Sequence, residues 1–522
     1  MSLRLFIAAL ALGHSAATLA QPAPDVSADA IRADITFLSD DLLEGRDAGS
    51  RGYDIAARYV AARFASLGLT QAVPDSWFQP VTLAVADLDP ASPAALIIGG
   101  KRFDNGGDVI ITASGRELKQ GIEAQAVFVG YGLQSTRQKI DDYAGLDLKG
   151  KFAVALAGAP VGMPSEIGAH LASEKIMAAQ RAGAIGLITI PGTAQLVRRP
   201  WERMKDVSAG PVVSWVDAQG QPYVRAPAIR GAATAHAAAA QALLAGSGRT
   251  LAALRKEADR RNARPRGFAL KPLVRIERTS TLSTATSSNV LAVLPGSDPT
   301  LAGEYVLLMA HLDHEGIKQS AKGPDKIYNG AMDNASGVAT MLAVAKALSQ
   351  GGTAPRRPIL FAAVTAEEDG LIGAHYLARH PTLPAGARVV SVVNLDMPIL
   401  TYDFSDVVAF GAEHSTLGPI VERAARASGL SCRPIRCRPK GCSPVPTIIA
   451  SAGGDTLGLP DDRVRRAGQG RFPAVPQDPL SSAFGPDRPA VQLECGGQVR
   501  AGQLPDRAGN RRRGGNTALV CR

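Results

Sequence analysis

Four short polar runs, each following an apolar one, carry residue types that can do chemistry together. In Leu307-Leu308-Met309-Ala310-His311-Leu312-Asp313-His314 the apolar part reads as a buried strand. His311 and Asp313 at its exit project from one side, because strand side chains alternate. A ring nitrogen of His311 can bind a metal ion while a nearby carboxylate fixes its tautomer. Gly330-Ala331-Met332-Asp333-Asn334-Ala335-Ser336-Gly337 precedes an Ala-rich helix. Asp333 or Asn334 there could cap that helix, and a rigidly held carboxylate could equally bridge two cations. Ala363-Val364-Thr365-Ala366-Glu367-Glu368-Asp369-Gly370 puts three acids before another helix, where they complement its dipole. Adjacent residues point in different directions, so one glutamate could ligate a metal while its neighbour faces the metal's water as general base. Asp396 ends the apolar run Val392-Val393-Asn394-Leu395, where a buried carboxylate is costly without a partner and a metal ion is a natural one. Each run has a bland explanation of its own, but no bland explanation is shared by four at consecutive strand ends in one sheet. Histidine and carboxylates are zinc ligands. A shared carboxylate implies two ions about 3.5–4 Å apart, which polarise a carbonyl and lower the pKa of water towards ~7, enough to hydrolyse an amide.

The elements that must hold these runs alternate. Strands are expected over 289–294, 305–309, 358–364 and 389–395, with helices over 335–349 and 370–379. This is the pattern of an α/β fold whose mostly parallel or mixed sheet is flanked by helices, with ligands at the carboxyl ends of strands. Upstream, Ser27 can cap a helix carrying Ile31, Ile35 and Leu38, and a second amphipathic helix follows the break Glu44-Gly45-Arg46-Asp47-Ala48-Gly49. Between 118 and 265, glycine-bounded strands (126–132, 150–156, 184–190) surround a helix over 175–183, with no polar constellation. That composition suggests a module that shields or presents, and His170 within it reads as a surface residue.

Met1–Ala20 has a basic start, a short apolar run and a small-residue finish, the pattern of a secretory signal rather than a membrane span. The expected location is therefore periplasmic or secreted, with no integral membrane segment once the signal is removed. The net charge of +10 is unevenly placed. From Cys432 onward the chain holds 15 of its 57 Lys and Arg residues but 7 of its 47 Asp and Glu, a net of +8. All five cysteines also lie there, so the body is nearly neutral and does not rest on disulfides. A near-neutral body offers no footing for a nucleic-acid partner, and nothing in the sequence sets an oligomeric state.

The four runs resemble the co-catalytic two-zinc aminopeptidases, the family that also contains the glutamate carboxypeptidases. The matching residues are His311-Leu312-Asp313, Asp333-Asn334-Ala335-Ser336-Gly337, Glu367-Glu368 with Gly370-Leu371-Ile372-Gly373, and Asn394-Leu395-Asp396-Met397. Leu43-Glu44-Gly45-Arg46 is similar to that family's N-terminal segment. Val129-Gly130-Tyr131-Gly132, Leu148-Lys149-Gly150-Lys151 and Ala182-Gly183-Ala184 are similar to an inserted protease-associated domain. The resemblance implies two Zn2+ ions and peptide substrates. It implies that Asp333 bridges the ions, that His311 and Asp396 complete one, that Glu368 binds the other, that Glu367 is the general base and that Asp313 orients His311. The implied organisation is a signal (1–20), the first part of the peptidase domain (21–117), the protease-associated insertion (118–265), the zinc peptidase domain (266–431) and an atypical basic tail (432–522). Alternatives are a carboxypeptidase with the same metals and an inactive binding protein of the same fold.

The family pattern also calls for a late histidine beside Glu368, within a Ser-Asp-His-Tyr-like run. No histidine follows His414, and His414 comes too early and reads as a loop residue. If Cys432–Ala450 is written in GC-rich codons and read from the third base of the Cys432 codon, a run ending Ser-Asp-His-Tyr appears, its histidine straddling Thr447 and Ile448. Two expectations follow: a frameshift near residue 431, or a genuine basic, Pro/Gly-rich disordered tail. Lacking that ligand, the chain as written is expected to bind its second zinc weakly and to have low activity.

Overall fold

The computed structural model describes residues 26–319, 321, 323–398, 404–407, 409, 415–432 and 448–452. The expected signal, His414 and most of the basic tail lie outside these residues. Ser27 accepts from Ala30 N–H and opens the helix Ala28–Leu38, and Ser50 does the same for Tyr53 N–H at the start of Arg51–Ser66. Among the described residues no helix is long and apolar enough to cross a membrane.

The larger sheet is mixed. Its main path runs through Val212–Trp215, Phe78–Leu88, Val274–Leu294, Ile359–Val364, Glu304–His311, Arg388–Leu395 and Ile448–Ala452. The strands ending at Val364, His311 and Leu395 are parallel to one another, and their outer neighbours run antiparallel to them. Alternation along these strands makes two cores. Leu308, Ala310, Phe361 and Ala363 face the helices Ala28–Leu38, Arg51–Ser66 and Ser336–Gln350, while Leu307, Met309, Leu360 and Val364 face Ile372–Arg379. Burying a side chain such as Phe361 stabilises by about 1.5–3 kcal/mol, and this double cover fixes the register. The register sets His311 opposite Val364, and Met309 opposite Asn394. The first residues beyond all three strands therefore emerge at one edge.

The strand expected over 289–294 is in fact the last quarter of Val274–Leu294, 21 residues long. Its earlier part is rich in Thr and Ser and largely exposed over Thr281–Thr284, so apolar alternation does not mark it. This strand joins the two halves of the molecule. Residues 274–279 pair with Lys119–Ala124, 280–290 with Phe78–Leu88, and 290–294 with Ile359–Ala363.

A second sheet of six strands has the order Phe268–Ala269, Ala126–Phe128, Phe152–Leu156, Gly186–Ile190, Gly231–Ala235, Val109–Ile111. Its four middle strands are parallel, and it owns separate cores on its two faces around Phe128, Val154 and Ile188, and around Val127, Ala153 and Leu187. The strands Val109–Ile111 and Phe268–Ala269 extend this sheet on both sides of the 118–265 stretch.

Candidate metal centre

Six side chains named from the sequence meet at the shared edge. His311 is the last residue of its strand and is 2% exposed. Its Nε2 lies 3.1 Å from Asp333 Oδ1, 3.5 Å from Asp396 Oδ1 and 4.0 Å from Glu367 Oε2. Its Nδ1 lies 3.1 Å from the Asp313 carbonyl oxygen and 3.8 Å from the Asp313 carboxylate. Donation from Nδ1 to that carbonyl makes Nε2 the nitrogen open to a metal ion. The nearer anchor of the His311 ring is thus the main chain of Asp313. The Asp313 carboxylate accepts from Glu368 N–H at 3.1 Å and so holds the glutamate loop.

Asp333 sits in an irregular turn, Ala331–Ala335, ahead of the helix Ser336–Gln350, and its peptide bond to Asn334 is cis. Asn334 caps the first turn of that helix through Gly337 N–H, as the sequence allows, and does more besides. Fully buried, it donates to Leu395 O at 2.9 Å and accepts from Gly337 N–H and Met397 N–H, each at 3.0 Å. It therefore ties the Asp333 turn to the end of the Asp396 strand. A side chain at Gly337 would come within 2.2 Å of Asn334 Oδ1, which requires glycine there. Glu367 and Glu368 follow the Val364 strand. Their loop is braced by Asn289 Oδ1, which accepts from Thr365 N–H, and by Ser287, whose hydroxyl lies 2.6 Å from that of Thr365.

Charge at this edge is unbalanced. Burial, reinforced by neighbouring carboxylates, raises Glu367 and Glu368 well above the usual carboxylate range, and burial raises Asp313. Burial opposes a charge on His311, but Glu367, Asp333 and Asp396 outweigh it and lift its pKa well above the ordinary value. So many buried carboxylates either hold protons or share cations. Asp313 Oδ1 and Asp396 Oδ1 are buried and accept no hydrogen bond. The residues fit divalent metal ions, and oxygen donors with imidazole suit zinc. Among the described residues, three groups offer ligand atoms within 4.8 Å of one another: His311, Asp333 and Asp396; His314, Asp333 and Glu368; and His311, Glu367 and Glu368.

Two residues of this edge received no role from the sequence. His314 stands in the run His311-Leu312-Asp313-His314, where strand alternation aligns only His311 and Asp313. The chain turns after Leu312, and His314 Nδ1 ends 2.8 Å from Glu368 Oε1. Burial pushes the His314 pKa down. Arg46, wholly buried, donates to the carbonyl oxygens of Leu38, Leu312, Asn329 and Gly330. Its guanidinium thereby gathers three loops around the site, and burial lowers its pKa to about 10. The segment Leu43-Glu44-Gly45-Arg46 was legible as a motif, but not as this clasp. Of the remaining histidines read from the sequence, His170 is half-buried on the helix Ser165–Ser173, outside these groups.

Beside Glu368 and Asp369 opens a cleft of about 340 Å³, walled by Val207, Pro211, Val212 and Val213 with Arg199. Its far wall thus comes from the stretch leading into the strand Val212–Trp215.

Residues 289–447 match the Peptidase family M28 profile, so the match runs past Cys432. The chain is 33% identical over 120 residues to Leupeptin-inactivating enzyme 1 of Streptomyces exfoliatus, covering 23% of this chain and 24% of that enzyme. It is 30% identical over 133 residues to Aminopeptidase NAALADL1 of Mus musculus, covering 24% of this chain and 16% of that protein. The chain therefore aligns with about a quarter or less of these relatives' lengths. Among solved structures it is similar to an aminopeptidase from Aneurinibacillus sp. strain AM-1, with a TM-score of 0.40 and 20% identity, covering 87% of this chain and 97% of that one.

Proposed function

From the Peptidase family M28 domain that this chain carries at residues 289–447, we propose that it is an exported aminopeptidase using two zinc ions to remove the N-terminal residue of peptides. Asp333 would be shared between the ions, His311 and Asp396 would hold one, and Glu368 would hold the other. When bound, such ions polarise the scissile carbonyl and lower the pKa of water towards ~7. The chain's own residues do the rest. Glu367, whose Oε2 lies 4.0 Å from His311 Nε2, takes a proton from the attacking water and returns it to the leaving amine. The Asp313 carbonyl holds His311 in the ligating tautomer, and the Asp313 carboxylate holds the Glu368 backbone. The observation that best supports two ions is that Asp333 belongs to two separate ligand groups, one with Asp396 and one with Glu368.

The likeness of this chain to Aminopeptidase NAALADL1, 30% identical over 133 residues, supports the aminopeptidase reading. Apolar Val207, Pro211, Val212 and Val213 suit the substrate's first side chain. Arg199 on the same wall favours the second reading, a carboxypeptidase with the same metals. In this proposal residues 118–265 are a protease-associated domain that narrows access to the cleft, and Met1–Ala20 is removed on export.

The test is an assay of the zinc-loaded chain on peptides blocked at one end. Cleavage of C-terminally amidated peptides, abolished by N-acetylation and by chelation, is the expected result. Release of C-terminal residues from acetylated peptides would establish the reverse polarity instead. No turnover of either, with zinc bound, would leave a peptidase-fold binding protein. N-terminal sequencing of the exported chain is expected to begin at Gln21.

A further inference from the structure

We infer that His314 is the histidine ligand of the second metal ion, completing with Asp333 and Glu368 the site that the expected late histidine would otherwise serve. This rests on the two-ion reading above and deepens it. The two ligand groups that share Asp333 are built alike: each adds one histidine and one further carboxylate, His311 with Asp396 and His314 with Glu368. His314 Nδ1 already faces Glu368 Oε1 at 2.8 Å, so the nitrogen and the carboxylate point at a common space.

The ring is also held in place, as a ligand must be. The His314 side chain is 12% exposed, and its backbone N–H donates to the Arg46 carbonyl at 3.1 Å. Gly330 lies beneath it in a left-handed conformation. A side chain at Gly330 would come within 2.7 Å of His314 Cγ, so the absence of a Cβ makes room for the imidazole. Tyr328 lies on another side, with ring centroids 6.4 Å apart. Arg46 thus fixes both the His314 backbone, through its own carbonyl, and the Gly330 carbonyl, through its guanidinium. The inference replaces the expectation of a weak second site in this chain.

The experiment uses the full chain, stripped with chelator, labelled with ¹⁵N-histidine and reloaded with ¹¹³Cd. Two direct ¹¹³Cd–¹⁵N couplings are expected, one through an Nε2 for His311 and one through an Nδ1 for His314. In parallel, zinc content is expected to be two per chain, falling to one in His314→Ala and in His314→Gln, with the circular dichroism spectrum unchanged. Coupling through Nε2 alone, or two zinc ions retained in both variants, would overturn the role of His314 while leaving the two-ion reading standing. A chain that takes up no metal at all would overturn both. If neither variant folds, the Nδ1 coupling in the unaltered chain still decides.

Discussion

The strands Phe152–Leu156 and Gly186–Ile190 of the six-stranded sheet are parallel, and so are Glu304–His311 and Ile359–Val364 of the larger one. Both pairs are almost entirely buried, and both are covered on two faces. They diverge at their carboxyl ends. After Leu156 and Ile190 come Ala157-Gly158 and Pro191-Gly192; after His311 and Val364 come Leu312-Asp313-His314 and Thr365-Ala366-Glu367-Glu368. The sheet itself supplies a rigid edge in both halves, and chemistry arises where the loops add donors to it. Each half also buries a long cation against backbone carbonyls, and Arg278, on the strand that joins the halves, does the same with Thr112 and Arg230. Arg46 serves four carbonyls around the acidic edge, and Lys175 serves those of Leu156 and Gly158.

The sharpest way to break this comparison is to remove chemistry from the acidic edge without disturbing the sheet. Glu367→Gln keeps the size of the side chain and removes its ability to take a proton. It is expected to lower kcat by about 10²- to 10⁴-fold, the usual contribution of a general base, with zinc content unchanged. An unaltered kcat would assign the proton transfer to another group.

The next effect belongs to the clasp. Arg46→Ala would leave buried carbonyls on three loops without their donor, each unsatisfied group costing about 1–3 kcal/mol. A loss of about 3–5 kcal/mol in stability is expected, with a drop in zinc affinity because the Leu312 and Gly330 loops carry His311, His314 and Asp333, which could hold a metal ion. Thermal melting and zinc titration check both. Loss of stability with zinc affinity intact would make Arg46 a packing residue only.

Smaller again is the bridge between the Asp333 turn and the Asp396 strand. Asn334→Ala removes three hydrogen bonds of 2.9–3.0 Å and is expected to cost about 2–3 kcal/mol. Its expected signature is weaker binding of both ions, since Asp333 is common to both groups. Selective loss of one ion would show that Asn334 positions only one side.

How much of this was legible follows the same division. The strand and helix limits from 305 to 395 came within a few residues, because alternation and periodicity there are driven by burial. The side chains that meet at the acidic edge were legible because carboxylates at the ends of apolar runs are costly to bury without a partner. What escaped depended on tertiary geometry. Arg46 acts on residues more than 260 positions away, through carbonyls that every residue possesses, so no pattern announces it. His314 reaches Glu368 only because the chain leaves the strand's alternation after Leu312. The long strand Val274–Leu294 was shortened because its Thr- and Ser-rich middle is exposed.

The smallest effect lies in the other half. Burial pulls the Lys175 pKa down to about 7, from 10.5 in the unfolded chain. Between those values the unfolded state holds a proton that the folded state has released, so stability rises with pH across that window. Below pH 7 both states are charged and the full penalty of burying the ammonium remains. The Tyr131 ring, 5.8 Å from Nζ, offsets part of it. Lys175→Met removes the titration and leaves the Leu156 and Gly158 carbonyls without their donor. Relative to this variant, the unaltered chain is expected to gain about 1–2 kcal/mol between pH 7 and 9, at up to 1.4 kcal/mol per unit of pH. Thermal midpoints at pH 6, 7.5 and 9 measure it, with zinc saturating throughout so that the acidic edge contributes equally to both proteins. Parallel curves would mean that Lys175 keeps its charge when folded. Arg46 and Lys175 would then be alike in kind, and the contrast between the halves would lie in the acids their loops supply.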